Sequence, residues 1–155
     1  LVRIRSVREE PLPGMPFGPG PAAALAEGLK LAEELGFATR NYDNYVGTAD
    51  LNDKETALHI LCHLDVVGEG TGWTVTEPYA PKEVDGMLYG RGTDDDKGPV
   101  AAVLLAMKAV KELGVPRRGE RFQRHRLLLR PGALRPLCLL PRRGVPPHQH
   151  REGQL

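Results

Sequence analysis

The strongest hydrophobic signal in the chain is the run Thr56–Cys62, TALHILC. It is nearly all apolar, so it predicts a strand that is central in its sheet and covered on both faces. Two other stretches carry a helical period. In Ala22–Leu35, Leu25, Leu29 and Ala32 fall on one face, with Glu27, Lys30, Glu33 and Glu34 mostly elsewhere. Pro21 suits the first turn of this helix and Gly36 its C′ position. In Gly98–Leu113, Val103, Met107 and Val110 line one face with Leu104 beside them, and Pro99 and Gly114 punctuate the ends. Short strands are predicted at Phe37–Arg40 and around Asn44–Ala49, followed by a polar turn at residues 52–55. Val84-Asp85-Gly86-Met87 predicts a hairpin, because Asp-Gly tolerates positive φ. Pro11–Pro21 is rich in Pro and Gly and reads as an irregular loop. Helix, two strands, central strand, long loop, hairpin and helix together make an α/β layout, a sheet covered by helices.

Charge divides this pattern in two. Residues 1–116 hold 11 Lys and Arg against 18 Asp and Glu, a net of −7, whereas residues 117–155 hold ten Arg against two Glu, a net of +8. The overall +1 hides this asymmetry, which can mark a basic arm for nucleic acid. Cys62 and Cys138 form no CxxC and imply no disulfide framework, which fits a reducing, cytoplasmic setting. No apolar run approaches the roughly 18 residues of a membrane span, so no membrane partner is expected. LVRIRSVREE lacks the apolar core of a signal peptide, and a start at Leu1 rather than Met suggests a fragment at that end.

The polar residues that interrupt the pattern are the chemical candidates. His63 and Asp65 follow directly on the apolar strand, and alternation puts residues i and i+2 on one side. Both then project from the carboxyl end of a buried strand, where open α/β sheets bind ligands. An imidazole there can ligate Zn²⁺, and a nearby carboxylate can fix its tautomer; the simpler reading is a loop pair. Asp94-Asp95-Asp96-Lys97 sits between Gly90, Gly92 and Gly98 and leads into the second helix. Three adjacent carboxylates repel one another, and a bound cation would relieve them; a solvated acidic loop is the bland alternative. The stretch is no P-loop, since its Lys precedes the glycine and no Ser or Thr follows. It is no EF-hand either, because the acidic ladder and distant Glu are missing. His59, inside the apolar run, reads as a packed core histidine. Trp73 and Tyr79, in the connecting loop, read as packing residues, with a site-lining role as the alternative.

CHLDVV, GWT, EPY and DGMLYGRGTDDDKGP, with the Ala-rich helix behind them, resemble the PepV-type dipeptidases. Those enzymes belong to the co-catalytic zinc metallopeptidase family of carnosinases, aminoacylases and succinyl-diaminopimelate desuccinylase. SVREEPLPGMPFGPGPAAAL, LAEELGF and NYVG are similar to the same branch, and the likeness covers roughly residues 1–116. It implies the N-terminal part of a three-layer α/β/α catalytic domain, two divalent metal ions (zinc, with manganese or cobalt as alternatives) and a dipeptide substrate. By motif position His63 would ligate one metal, Asp95 would bridge both, and Asp65 would be the catalytic carboxylate that orients His63. Asp94 falls at a variable position and Asp96 at a commonly acidic one, so neither is assigned as a ligand. Deacylation of N-acyl amino acids is the alternative activity within the family, and a non-catalytic fragment with residual metal binding the alternative outside it. The family also needs a later Glu-Glu pair, a further Asp and a late His. After Gly98 this chain has no Glu-Glu, and after Asp96 no Asp; His148 and His150 stand in the wrong context for the family's ligand.

Residues 117–155 are expected to be a separate, largely unstructured tail, ordered at most at Leu127–Leu129. They contain no Lys, Asp, Asn, Ser, Thr, Ile, Met, Tyr or Trp. Ten Arg without a Lys, and five prolines, argue against a nucleic-acid arm. Apart from Phe122 and Cys138, the residue types used have codons that begin, or can begin, with C or G, the bias a GC-rich gene produces when read one base out of frame. Back-translating LLPRRGVPPHQHREGQ and reading one base later allows FSPDEEFPLINIEKGN, which resembles the segment PepV-type enzymes carry beyond their Glu-Glu motif. The coding DNA of this region is therefore expected to stay open in the shifted frame, and stop codons there, found by resequencing, would sink the frameshift reading.

Overall fold

The computed structural model describes residues 1–53, 56–114 and 124–131 of the 155-residue chain. Pro19 and Pro21 open the first helix, α1 (Pro19–Glu34), where a missing N–H costs nothing. Its end is set by Gly36, whose φ of +82° reverses the chain. Gly36 N–H then donates to Glu33 O and Phe37 N–H to Ala32 O, a Schellman closure that drops Phe37 into the core. The chain continues as an antiparallel pair, β1 (Ala38–Tyr42) and β2 (Val46–Asp50). Further on, β4 (Lys82–Val84) and β5 (Met87–Tyr89) form the expected hairpin, with Asp85 and Gly86 both at positive φ. The second helix, α2, spans Lys97–Glu112.

The main sheet has the order β1-β2-β6-β3, where β3 is Thr56–His63 and β6 is Arg124–Arg130. β6 runs antiparallel to β2 and parallel to β3. Register puts Gly47, Leu129 and Cys62 in one row and Ala49, Leu127 and Ile60 in the next. These two rows share one face. Leu127, Leu129 and Ala49 are fully buried there, in one cluster with Leu25 and Leu29 of α1 and Val100, Leu104 and Met107 of α2. Among the described residues, both helices therefore cover the same face.

Two expectations change here. The apolar run that predicted a central strand, covered on both faces, forms β3 at the edge of the sheet, with β6 as its one strand neighbour among the described residues. Leu61 is 52% exposed and His59 is exposed rather than packed. The uniform apolarity of TALHILC calls for cover on both faces, and the described residues supply it on one. The second change concerns the tail. Arg124–Arg130 is a full strand inside the sheet, longer than the Leu127–Leu129 stretch expected to be ordered. Three successive leucines can serve a strand buried between two neighbours, whatever the composition around them. Apart from Pro131, the rest of the tail, His148 and His150 included, lies outside the described residues, as do Lys54 and Glu55 of the predicted polar turn.

If β6 is an integral strand, Leu127→Ala leaves a cavity at a fully buried position. The expected loss is about 2–5 kcal/mol in urea unfolding. A loss under about 0.5 kcal/mol would mean that this segment is no part of the core.

Candidate metal centre

β3 delivers His63 as its last residue, and the chain then passes through Leu64, fully buried against α1, to Asp65. The N-terminal segment runs beside this exit. Val66 N–H donates to Ser6 O, and the buried Ser6 hydroxyl donates to Leu64 O at 2.6 Å. The backbone of the H-x-D motif is thereby held by residues nearly sixty positions away.

The acidic loop arrives from the other side as a tight turn. Lys97 N–H donates to Gly92 O at 3.0 Å, folding Gly92–Lys97 back on itself. A Cβ at Gly98 would stand 2.0 Å from the Thr93 carbonyl oxygen, so only glycine lets α2 start against this turn. Lys97 is 1% exposed, and its ammonium donates to Ile4 O at 2.7 Å. Burial pushes its pKa down to about 8, against an opposing pull from the Asp65 carboxylate. The Asp95–Asp96 peptide bond is cis.

The two motifs meet at His63. Its Nε2 lies 2.9 Å from Asp95 Oδ1. Its Nδ1 lies 3.1 Å from the Asp65 carbonyl oxygen and 3.5 Å from the Asp65 carboxylate. Both partners only accept, so with Nδ1–H donated to the Asp65 carbonyl, an unprotonated Nε2 would turn its lone pair toward a carboxylate. Two electron-pair donors face to face need a proton or a cation between them. Imidazole nitrogen and carboxylate oxygen are both good ligands for a small divalent metal. The sequence had the Asp65 carboxylate orient the ring; the structure puts its backbone carbonyl closer. Asp65 is 12% exposed and the Asp95 carboxylate 81% exposed, so Asp65 sits under the ring and Asp95 reaches into the open.

His63, Asp65 and Asp95 border a cleft of about 510 Å³ whose other walls include Val7, Arg8, Val66 and Val67. Among the described residues no group of three or more His, Cys, Asp or Glu side chains is arranged to hold a metal. The residues present thus fit one part of a metal site, His63 Nε2 and Asp95. Trp73 lies away from this cleft: its Nε1 donates to Glu69 O and the Arg91 guanidinium stacks 5.2 Å from its ring centre. Tyr79 is also outside the cleft, its hydroxyl pKa raised by partial burial and by Glu69. Sequence reasoning missed three contributors. Ser6 and Arg8 gave no signal, and Asp96, left unassigned, accepts the His63 backbone N–H at 2.9 Å.

Residues 59–121 match the profile of "Peptidase family M20/M25/M40". The chain is 41% identical over 118 residues to the Bacillus subtilis protein named "Putative dipeptidase YtjP", a match covering 75% of this chain and 25% of that protein. A Staphylococcus saprophyticus protein of similar name is 40% identical over 117 residues, 74% of this chain and 25% of its own length. The chain thus spans about a quarter of the curated relatives it matches. Human carnosine dipeptidase 1 superimposes with a TM-score of 0.65 at 28% identity, over 83% of this chain and 29% of that one. A Sulfolobus solfataricus M20 metallo-carboxypeptidase gives 0.66 at 21% identity, over 83% and 28%, a likeness of fold.

The turn that carries Asp95 depends on the close approach at Gly98. Gly98→Ala is expected to cost about 1–3 kcal/mol by overpacking, read by urea unfolding, because backbone and not a flexible side chain stands in the way. An unchanged midpoint would show that the turn gives way freely and does not fix Asp95.

Proposed function

We propose that this chain, whose residues 59–121 carry the M20/M25/M40 peptidase signature, is part of a metal-dependent dipeptidase, contributing one half of its metal centre. The observation that carries the reading is the meeting of His63 Nε2 and the Asp95 carboxylate at 2.9 Å, with Nδ1 tied to Asp65 O. His63 would be a ligand to one metal ion and Asp95 a bridge between two; zinc suits this donor set, and manganese or cobalt would be accepted. When bound, a pair of divalent ions polarises the scissile carbonyl and lowers the pKa of the attacking water. Asp65 keeps the proton on Nδ1, directly through its carbonyl and more distantly through its carboxylate, which leaves Nε2 free to ligate. Val7, Val66 and Val67 give the cleft an apolar wall beside these polar groups, suited to a small substrate such as a dipeptide.

The names of the curated relatives favour dipeptides over N-acyl amino acids as substrate. No helix among the described residues is long and apolar enough to cross a membrane, and the thiol of Cys62 is free. A free thiol fits a reducing compartment, which favours the cytoplasm, and an Arg-rich tail without Lys argues against a nucleic-acid partner. We also propose that residues 1–155 alone are inactive. General-base assistance contributes about 10²–10⁴-fold, and no Glu-Glu pair follows Gly98 to supply it.

The chain is expected to bind zinc in calorimetric titration, with affinity at least about tenfold weaker in His63→Ala and in Asp95→Ala. It is expected to release no amino acid from a dipeptide panel with added Zn²⁺ or Mn²⁺. Zinc binding that ignores both substitutions would sink the metal-centre reading. Turnover that disappears with either of them would sink the inactivity.

A further inference from the structure

We propose that Asp96 is a positioning residue for His63, a carboxylate that clamps the end of β3 to the Asp95 loop and so sets the separation of the two metal-binding atoms. The inference rests on the metal-centre reading above. It begins from a side chain that does not do what its position leads one to expect. Asp96 is the N-cap of α2, where an Asp normally accepts a hydrogen bond from an amide of the first helical turn. Its carboxylate makes no such bond. The first-turn amides are served by Gly92 O instead, which accepts Lys97 N–H at 3.0 Å and Gly98 N–H at 3.3 Å, and the next residue, Pro99, has no N–H.

The carboxylate goes elsewhere. Asp96 Oδ2 accepts the backbone N–H of His63 at 2.9 Å, across 33 positions of sequence. β3 lies at the sheet edge, with one strand neighbour among the described residues, so amides on its other side need partners. Asp96 supplies one at the residue that bears the imidazole. Asp96 is thus committed to the end of β3. Asp94, on the other side of Asp95, is exposed.

The consequence is geometric. Asp95 and Asp96 are neighbours, and His63 Nε2 faces one while His63 N–H is held by the other. A single short loop therefore grips both the backbone and the ring of His63. Without the Asp96 contact, the His63 backbone would lose its tie to the loop, and the exposed Asp95 side chain would be left to meet the ring. Outer contacts of this kind typically cost 10–100-fold in metal affinity when removed.

The test uses Asp96→Ala, Asp96→Asn and Asp94→Ala in the full chain, with folding checked by circular dichroism. One readout is zinc affinity by calorimetry; the other is hydrogen exchange of the His63 amide without metal. Asp96→Ala should weaken zinc binding about 10–100-fold and remove protection of the His63 amide. Asp96→Asn keeps an acceptor oxygen and should restore both nearly to the parent level, while Asp94→Ala should change neither. Parent-like zinc affinity in a folded Asp96→Ala would overturn the proposal. So would an Asn variant as weak as the Ala variant, since charge and not the hydrogen bond would then be at work. If the parent chain binds zinc no better than His63→Ala, the metal-centre reading fails; loss of His63 protection confined to Asp96→Ala would still uphold the clamp.

Discussion

A buried ammonium organises this part of the molecule. Lys97 is sealed from solvent at the start of α2, and its Nζ donates to Ile4 O, while the Asp65 carboxylate acts on it electrostatically. Burying a cation is costly unless it is paired and hydrogen-bonded. Its neighbours are therefore constrained: the N-terminal segment must lie across the loop, and Asp65 must stay beneath the sheet end. Burial lowers the Lys97 pKa to about 8, which still leaves the ammonium charged at neutral pH. The same residue thus closes the Gly92–Lys97 turn, pins the N-terminal segment at Ile4 and supplies positive charge toward the Asp65 carboxylate.

Much of this was legible in the sequence, for identifiable reasons. The helical periods of Ala22–Leu35 and Gly98–Leu113 and the Asp-Gly hairpin are local signals, and local chemistry decided them. His63 and Asp65 were placed by the period of a strand, and Asp95 by motif likeness; the structure brings all three together. What was not legible depends on partners remote in sequence. Nothing in RSV announces that Ser6 will accept and donate across to Leu64 and Val66, or that Asp96 will leave its helix for the His63 amide. Residues 124–130 were hidden differently. Their composition belongs with the Arg-rich tail, while three leucines suit them to the sheet interior.

The misplacement of β3 is informative about the domain. A mostly apolar strand with one strand neighbour and one covered face among the described residues leaves Leu58 and Leu61 about half exposed. Such a surface is a liability for a free chain. It agrees with a chain that spans about a quarter of its curated relatives and with the proposed metal centre, for which the described residues form no group of three or more ligand side chains. Among the described residues, the uncovered side of β3 and the loop that carries Asp95 lie at the same end of the sheet.

The central claim is that His63 offers Nε2 to a metal while Nδ1 stays protonated against Asp65 O. Nitrogen-15 NMR of the His63 imidazole, recorded with and without zinc, reads this atom by atom. The account predicts an Nδ1–H tautomer in the zinc-bound chain, with the coordination shift on Nε2 and neither change in His63→Ala. Coordination through Nδ1, or an Nε2 that keeps a proton in the presence of bound zinc, would contradict it.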